Sequence, residues 1–172
     1  MQISIRPFGD NDIKTLVDIS RETFVQSHGH SANPEAIKNY LDTQFTSKIL
    51  SDAVQDSRIY YSKIVVDEVL AGYTKLILNE GHPHTELHPI AKFERVYLLK
   101  DYHGLGLGKK LLEHNISLAK KHEQKALWLY VWTENEKGIK FYNKHGFQRI
   151  GMHDFKISDD CYNPNYVMLK TI

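Results

Sequence analysis

The chain has 172 residues, of which 41% are hydrophobic and 25% charged, and 22 Lys and Arg against 21 Asp and Glu give a formal net charge of +1. These values match soluble globular proteins and exclude a disordered chain, a collagen-like fibre and a coiled-coil rod. The balanced charge argues against a nucleic-acid partner, and no apolar stretch reaches the length of a membrane span. The length fits a single domain over residues 1–172.

The N-terminal segment and the cysteine content bear on where the protein works. Residues 1–7 lack a charged stretch followed by an apolar one, so we expect no secretory signal peptide. Cys161 is the sole cysteine, which excludes an internal disulfide and a multi-thiolate metal site. These features predict a cytoplasmic protein.

Hydrophobic residues recur at strand spacing in seven segments and at helical spacing in four. The strands are expected at 2–8, 58–66, 69–78, 91–99, 126–132, 147–156 and 165–171. The helices are expected after Asp10 or Asn11, from Pro34, over 106–122 and after Thr133, with a shorter helical segment near 47–55. The main order β-α-α-β-β-β-α-β-α-β-β predicts an α/β fold, a mixed sheet flanked by helices with one central parallel pair.

Three short patterns predict how elements end. Asp67-Glu68 lies between two predicted strands and indicates a tight hairpin turn. Thr133-x-x-Glu136 has the spacing of a capping box and predicts that Thr133 caps the last helix. Gly146 is expected just past the end of that helix, where glycine is common.

The segment before the helix at 106–122 is rich in glycine and lysine, and it reads HGLGLGKK over residues 103–110. Glycine lets a backbone approach a ligand closely, and a helix N-terminus offers unpaired N–H groups to an anion. The turn therefore predicts a phosphate or pyrophosphate site. It is not a P-loop, because position 103 is His and Lys110 follows Lys109. It is not a G-x-G-x-x-G fingerprint either, because the third glycine would fall at Lys109 or Leu111.

Two blocks of the sequence resemble the GNAT superfamily of N-acetyltransferases. The turn is similar to the superfamily's pyrophosphate pattern Gln/Arg-x-x-Gly-x-Gly/Ala, with His103 in the place of Gln or Arg, followed by Gly106 and Gly108. The second block is similar to N-x-x-(A/G)-x-x-F-Y-x-K-x-G-F, and its matching residues are Asn135, Gly138, Phe141, Tyr142, Lys144, Gly146 and Phe147. Residues 93–98 (FERVYL) and 22–24 (ETF) resemble the bacterial spermidine/spermine acetyltransferase branch.

The resemblance implies a GNAT-type fold and an acetyl-CoA-dependent N-acetyltransferase that acts on a polyamine or a similar small alkyl amine in a ternary complex. It places cofactor-binding residues on the strand before the turn, in the turn and in the second block. They are Val96, Tyr97, Leu98, His103, Gly104, Leu105, Gly106, Leu107, Gly108, Lys109, Asn135, Tyr142 and Lys144. The resemblance also allows a homodimer formed through a sheet edge.

Two residues are the expected catalytic groups. Tyr142 would be the general acid, because a phenol with a pKa near ~10 is protonated at neutral pH and can protonate the departing CoA thiolate. Strand alternation places Glu94 on the face of Val96 and Leu98, where it or a water that it orders would be the general base. From the residues alone, Tyr142 can instead be a packed core aromatic, and Glu94 can be an exposed glutamate or one ion-paired beside Arg95.

Other functions stay open. The chain could be an acetyltransferase for protein lysine or N-terminal amines, or a non-catalytic CoA-binding regulator. No metal site is expected, because the histidine groups at 82–88 and 28–30 lie in turn-rich loops without a Cys partner or a helical i, i+4 pair. Cys161 has no adjacent activating base, so it is not expected to carry an acyl group.

Overall fold

The computed structural model describes residues 1–158 and 161–172. Its strands are β1 (Ile3–Pro7), β2 (Ile59–Val66), β3 (Val69–Ile77), β4 (Ile90–Leu98), β5 (Ala126–Trp132), β6 (Gln148–Ser158) and β7 (Cys161–Thr171). Its helices are α1 (Ile13–His28), α2 (Pro34–Gln44), α3 (Ser47–Gln55), α4 (Leu107–Lys121) and α5 (Glu136–Lys144), with 3-10 turns at Asp10–Asp12 and Lys100–Tyr102. Within the described residues these strands form one seven-stranded sheet in the order β1-β2-β3-β4-β5-β7-β6. The predicted mixed α/β fold is confirmed.

The predicted parallel pair is formed by β4 and β5. Ile90 lies opposite Ala126 and Lys92 lies opposite Trp128. The pairings of β1 with β2, β5 with β7 and β6 with β7 are antiparallel. The parallel register matters for function, because it places side chains that are far apart in sequence next to each other on one face.

Two boundary predictions were wrong, and both errors have a local cause. Asn135 is the N-cap of α5, since its side-chain oxygen accepts a hydrogen bond from the Gly138 N–H at 2.9 Å. Thr133 still belongs to the strand pairing, because its N–H donates to the carbonyl of Pro164. Strand β7 begins at Cys161 rather than at residue 165, and its first part was missed because Asn163 and Pro164 are residues that strands usually lack.

Two turn predictions were confirmed. Asp67 and Glu68 both have positive φ, 47° and 65°, as a tight hairpin of this kind requires. Gly146 follows the end of α5 with φ of +84°, the left-handed conformation that glycine adopts without strain.

The chain divides into two compact units. The first contains Met1–Leu76 and Arg95–His114, and the second contains Ile77–Glu94 and Asn115–Ile172. In the first unit, Tyr61 and Tyr73 pack with apolar residues of α1–α3. Ile64 and Ala71 pack with Leu107 of α4. The core of the second unit is built on Ile90, Ala126, Trp128 and Val167.

Helix α2 begins with two residues that favour a helix start. Pro34 occupies the first turn of α2, and Asn33 caps that helix by accepting from the Ala36 N–H at 2.8 Å. No helix in residues 1–158 and 161–172 combines the length and the apolar character needed to cross a bilayer.

Candidate functional site

The glycine turn between β4 and α4 has the conformation that an anion site needs. Gly104 and Gly106 have φ of +79° and +75°, a region that side-chain-bearing residues enter only with strain. A Cβ added at either glycine would meet no atom of the described residues within 4 Å. The helix α4 then begins at Leu107, so its first N–H groups and its positive dipole end follow the turn directly. These features fit a pyrophosphate.

The turn is fixed to the protein at both of its ends. Nε2 of His103 donates to the carbonyl of Leu98 at 3.0 Å, which ties the turn to the end of β4. The Tyr102 N–H donates to the carbonyl of Leu99 at 2.9 Å. Leu107 is buried in the core of the first unit. The open glycines therefore lie between two anchored points.

The end of β4 approaches β3 very closely at one glycine. A Cβ at Gly72 would clash with the carbonyl oxygen of Tyr97 and would lie 2.7 Å from a methyl carbon of Leu98. The Leu99 N–H donates to the carbonyl of Ala71 at 2.9 Å. Gly72 thus sets the position of the backbone at 97–98, part of the segment from which the pantetheine contacts are predicted.

The side chains of this segment pack as ordinary sheet residues. Val96 and Leu98 contact the cluster that contains Leu107 of α4. The Tyr97 ring meets His28 edge-on at a centroid distance of 6.1 Å. Burial, with a smaller effect of the nearby His30, lowers the pKa of His28 to about 4. The main-chain contacts of residues 96–98 with CoA stay a prediction.

In the second unit, α5 holds the residues of the second sequence block. Tyr142 is half-buried, with its ring 5.2 Å from that of Phe141 and 5.5 Å from that of Phe147. Burial raises the pKa of the Tyr142 phenol, so the hydroxyl stays protonated at neutral pH. Asn135 uses its side-chain oxygen to cap the helix, and Lys144 is exposed in the last turn. Their contacts with CoA also stay predictions.

Glu94 is ion-paired, and its partner is Lys92. The two side chains are 23% and 16% exposed, and Nζ of Lys92 lies 3.1 Å from Oε1 of Glu94. The same Nζ lies 5.1 Å from the ring centroids of both Trp128 and Tyr130. Of the exposed and the ion-paired interpretations left open by the sequence, the structure shows an ion pair, formed with Lys92. The guanidinium of the neighbouring Arg95 lies over the Phe45 ring.

Sequence reasoning missed Lys92 as the partner of Glu94, and it missed Trp128 and Tyr130 as the rings around the Lys92 ammonium. The signal was present, because Lys92 and Glu94 are two residues apart on one strand and so share a face. The same alternation relates Trp128 to Tyr130. What the sequence did not provide is the register of β4 on β5, which sets Lys92 opposite Trp128.

The histidine-rich loop at 79–89 packs against Trp128 and Tyr130 within the second unit. Trp128 Nε1 donates to the carbonyl of Glu80 at 2.7 Å. Nδ1 of the buried His82 accepts from the His84 N–H at 3.2 Å, and its Nε2 lies 3.3 Å from the Tyr130 hydroxyl. In the described residues no three His, Cys, Asp or Glu side chains are grouped as metal ligands.

Comparison with known proteins decides the family. The model of the Acetyltransferase (GNAT) family matches residues 13–147. The chain belongs to the GNAT family. This N-acetyltransferase is an acyltransferase that uses acetyl-CoA as co-substrate.

Several proteins are similar to this GNAT chain over nearly all of its length. It is 30% identical over 159 residues to an uncharacterized N-acetyltransferase in the pepI 3'region of Lactobacillus delbrueckii subsp. lactis, covering 92% of this chain and 91% of that one. It is 38% identical over 147 residues to a probable spermine N(1)-acetyltransferase of Bacillus subtilis subsp. natto, covering 84% and 91%. The crystal structure of paia N-acetyltransferase from Thermoplasma acidophilum in complex with coenzyme A has a TM-score of 0.80, 24% identity and full coverage of both chains. That structural likeness supports the fold.

Proposed function

We propose that this GNAT enzyme transfers acetyl to a primary amine of a polyamine, such as spermidine or spermine, or of a similar small alkyl amine. The observation that carries the proposal is the 38% identity, over 84% of the chain, to a probable spermine N(1)-acetyltransferase. The segment at 93–98 and the 22–24 segment of α1, which resemble the polyamine branch, support the same acceptor class.

The glycine turn binds the pyrophosphate of acetyl-CoA in this proposal. The N–H groups at the start of α4 donate to its oxygens, and the helix dipole favours the negative charge. Lys109 adds a positive charge, although part of it is balanced by Glu113 at 3.6 Å. The open space at Gly104 and Gly106 lets the anion approach the backbone.

The backbone of residues 96–98 orients the pantetheine arm, as an added strand would be oriented. Gly72 fixes where that backbone lies, because the Tyr97 carbonyl sits against it. Acetyl-CoA supplies an acetyl group activated as a thioester. Holding both substrates in one orientation supplies much of the rate.

Two side chains handle protons. Glu94 takes a proton from the acceptor ammonium, directly or through a water, so that the amine can attack. Tyr142 donates its phenolic proton to the departing sulfur, and burial keeps that phenol protonated across the neutral range because it raises the pKa. Both roles follow the family resemblance and the environments of the two residues.

The acceptor is tested by measuring thiol release from acetyl-CoA with spermidine, spermine, a lysine-bearing peptide or buffer alone. We expect release with the two polyamines well above the rates with peptide and buffer. Release with the peptide alone would instead make the chain a protein acetyltransferase. Bound acetyl-CoA with no release in any sample would contradict the proposed acceptor and favour a CoA-binding regulator.

A further inference from the structure

The ammonium of Lys92 is enclosed by the side chains that best recognise an alkylammonium ion. Glu94 offers a carboxylate oxygen at 3.1 Å from Nζ, and the rings of Trp128 and Tyr130 each have their centroid 5.1 Å away. A carboxylate forms a charge-assisted hydrogen bond to such a cation, and two aromatic rings add cation–π attraction. All four residues belong to the second unit.

We propose that Glu94, Trp128 and Tyr130 form a binding site for an ammonium group of the amine acceptor, and that Lys92 is a built-in occupant which this group displaces. A lysine side chain ends in a primary alkylammonium on a flexible four-carbon chain, so it has the same chemistry as one end of a polyamine. The inference rests on the proposed function, because there Glu94 must meet the acceptor ammonium and Lys92 already holds one of its oxygens.

The walls of this site are held by contacts that do not involve Lys92. Trp128 is fixed by the hydrogen bond from Nε1 to the Glu80 carbonyl. Tyr130 is stacked on His153 at a centroid distance of 4.5 Å, with the rings 13° from parallel, and its hydroxyl is 3.3 Å from Nε2 of His82. The two rings are therefore expected to keep their positions when the Lys92 ammonium leaves.

The charge around the site favours one cation at a time. His82 stays neutral beside it, because burial and, to smaller extents, His84, His153 and Lys92 lower its pKa. Within the cluster, Lys92 therefore balances the charge of Glu94. A polyamine gains this carboxylate only by exchanging its own ammonium for that of Lys92, with no covalent change, so Lys92 limits how tightly the acceptor binds.

The test is the affinity for spermidine, measured by titration calorimetry without acetyl-CoA on the full chain. Lys92→Ala removes the lysine ammonium and leaves its place between Glu94 and the two rings empty. We therefore expect spermidine to bind about tenfold more tightly, which is the contribution of one ammonium site with an ion pair and cation–π contacts. Lys92→Met removes the charge and fills the space, so it should not give this gain. The double variant Lys92→Ala with Glu94→Gln should bind spermidine no more tightly than the unaltered protein.

Lys63→Ala is the matched control. Lys63, in the first unit, likewise pairs with a carboxylate and lies over an aromatic ring, with Nζ 2.7 Å from Oδ2 of Asp12 and 5.3 Å from the Phe8 ring centroid. It is also similarly exposed, at 20%. Its replacement should leave spermidine affinity at the level of the unaltered protein. An equal gain in Lys63→Ala would overturn the proposal, because the effect would then be one of total charge.

A measurement on the unaltered protein covers the case in which Lys92→Ala fails to fold. The side-chain protons of Lys92 next to its ammonium should show ring-current shifts from Trp128 and Tyr130, and saturating spermidine should abolish them. Unchanged Lys92 signals at saturation, or unchanged affinity in a folded Lys92→Ala, would overturn the inference. Tighter binding in Lys92→Ala without any acetyl transfer would instead uphold this site and contradict the proposed reaction.

Discussion

The two sequence blocks that resemble the GNAT superfamily fold into regions of opposite character. In the turn, Gly104 and Gly106 have positive φ and leave open space beside the main chain. In α5, Tyr142 is packed between Phe141 and Phe147, and its pKa is raised by burial. The comparison teaches that the first block can act through backbone N–H groups, whereas the catalytic role proposed for the second block depends on the hydroxyl of Tyr142.

A glycine at positive φ occurs in both regions, and this makes a matched pair. Gly106 has φ of +75° and Gly146, just after α5, has φ of +84°. A Cβ at Gly106 would enter open space, whereas one at Gly146 would lie 2.9 Å from the Nζ of Lys170, the tip of a flexible side chain. Alanine would have to adopt the same left-handed backbone conformation at either position, at a similar cost in stability. A difference in acetyl-CoA affinity between the two alanine variants would therefore reflect the role of the turn.

The largest effect is expected from Tyr142→Phe. The variant keeps the packed ring and loses the proton donor, so turnover should fall about 100-fold, within the usual contribution of general acid catalysis. Acetyl-CoA affinity should change by less than about twofold, because the ring contacts remain. Thiol release and titration calorimetry measure the two quantities.

Tyr166→Phe is the control for the loss of a tyrosine hydroxyl. The Tyr166 ring lies under the Arg149 guanidinium at 4.2 Å, a contact that the phenylalanine ring keeps. Its turnover should equal that of the unaltered enzyme. If the turnover of Tyr142→Phe also equals that of the unaltered enzyme, Tyr142 is not the general acid. The proposed difference between a turn that acts through its backbone and a helix that acts through a hydroxyl would then be wrong.

Acid should weaken the unit that carries the turn. The His28 ring, which packs against Tyr97 of β4, has its pKa lowered to about 4 by burial, while the unfolded chain binds that proton near pH 6.5. Stability is therefore full above pH 6.5 and falls as the pH drops toward 4. We expect a loss of about 2 kcal/mol in the free energy of unfolding between pH 7 and pH 5 from this residue.

Denaturant unfolding of His28→Phe at both pH values checks this expectation. The variant should lose about 2 kcal/mol less than the unaltered protein over that interval. Part of the pH dependence should remain, because burial also lowers the pKa of His82 and His114. His30 is exposed, so His30→Gln is the control. This variant should retain most of the pH dependence of the free energy of unfolding. An identical loss in His28→Phe would contradict a buried neutral ring.

A smaller effect on stability is expected at the matched glycines. Gly106→Ala and Gly146→Ala should each lower the free energy of unfolding by about 1 kcal/mol, because both force alanine into the left-handed region. Acetyl-CoA affinity should fall in Gly106→Ala alone, since only there would the methyl group stand where the pyrophosphate is expected. Equal affinities in the two variants would remove Gly106 from the binding site.

The smallest effect is expected at His103. Its ring holds the turn to β4 through one exposed hydrogen bond, which contributes at the low end of about 0.5–1.5 kcal/mol. His103→Ala should weaken acetyl-CoA binding about twofold, and His103→Gln should restore it, because glutamine is the usual residue of the family pattern and can donate to the same carbonyl. A stronger loss with glutamine than with alanine would speak against an anchoring role.

The fold and the turn could be predicted because their signals are local. Periodicity located the strands, Asp67-Glu68 predicted the hairpin, and the spacing of Gly104, Gly106 and Gly108 predicted an open turn before a helix. Binding of an anion by this turn stays a prediction. Local signals gave the wrong N-cap for α5, where two nearby residues can both cap a helix. Asn135 rather than Thr133 caps α5, because Thr133 is still engaged with Pro164 in the sheet.

The environment of Glu94 could not be predicted, because it depends on contacts between distant segments. The register of β4 on β5 sets Lys92 opposite Trp128, and the loop at 79–89 then fixes both aromatic rings from outside the strands. Alternation alone predicted the face of Glu94 but not its partner. The close approach of Gly72 to Tyr97 was missed for the same reason.

The central claim is that the open turn at 103–109 binds the pyrophosphate of acetyl-CoA. Backbone amide NMR during a titration with acetyl-CoA tests it directly. The account predicts saturable shifts of the N–H signals of Gly106, Gly108 and Lys109. Saturable binding of acetyl-CoA with the three turn signals unchanged would contradict it.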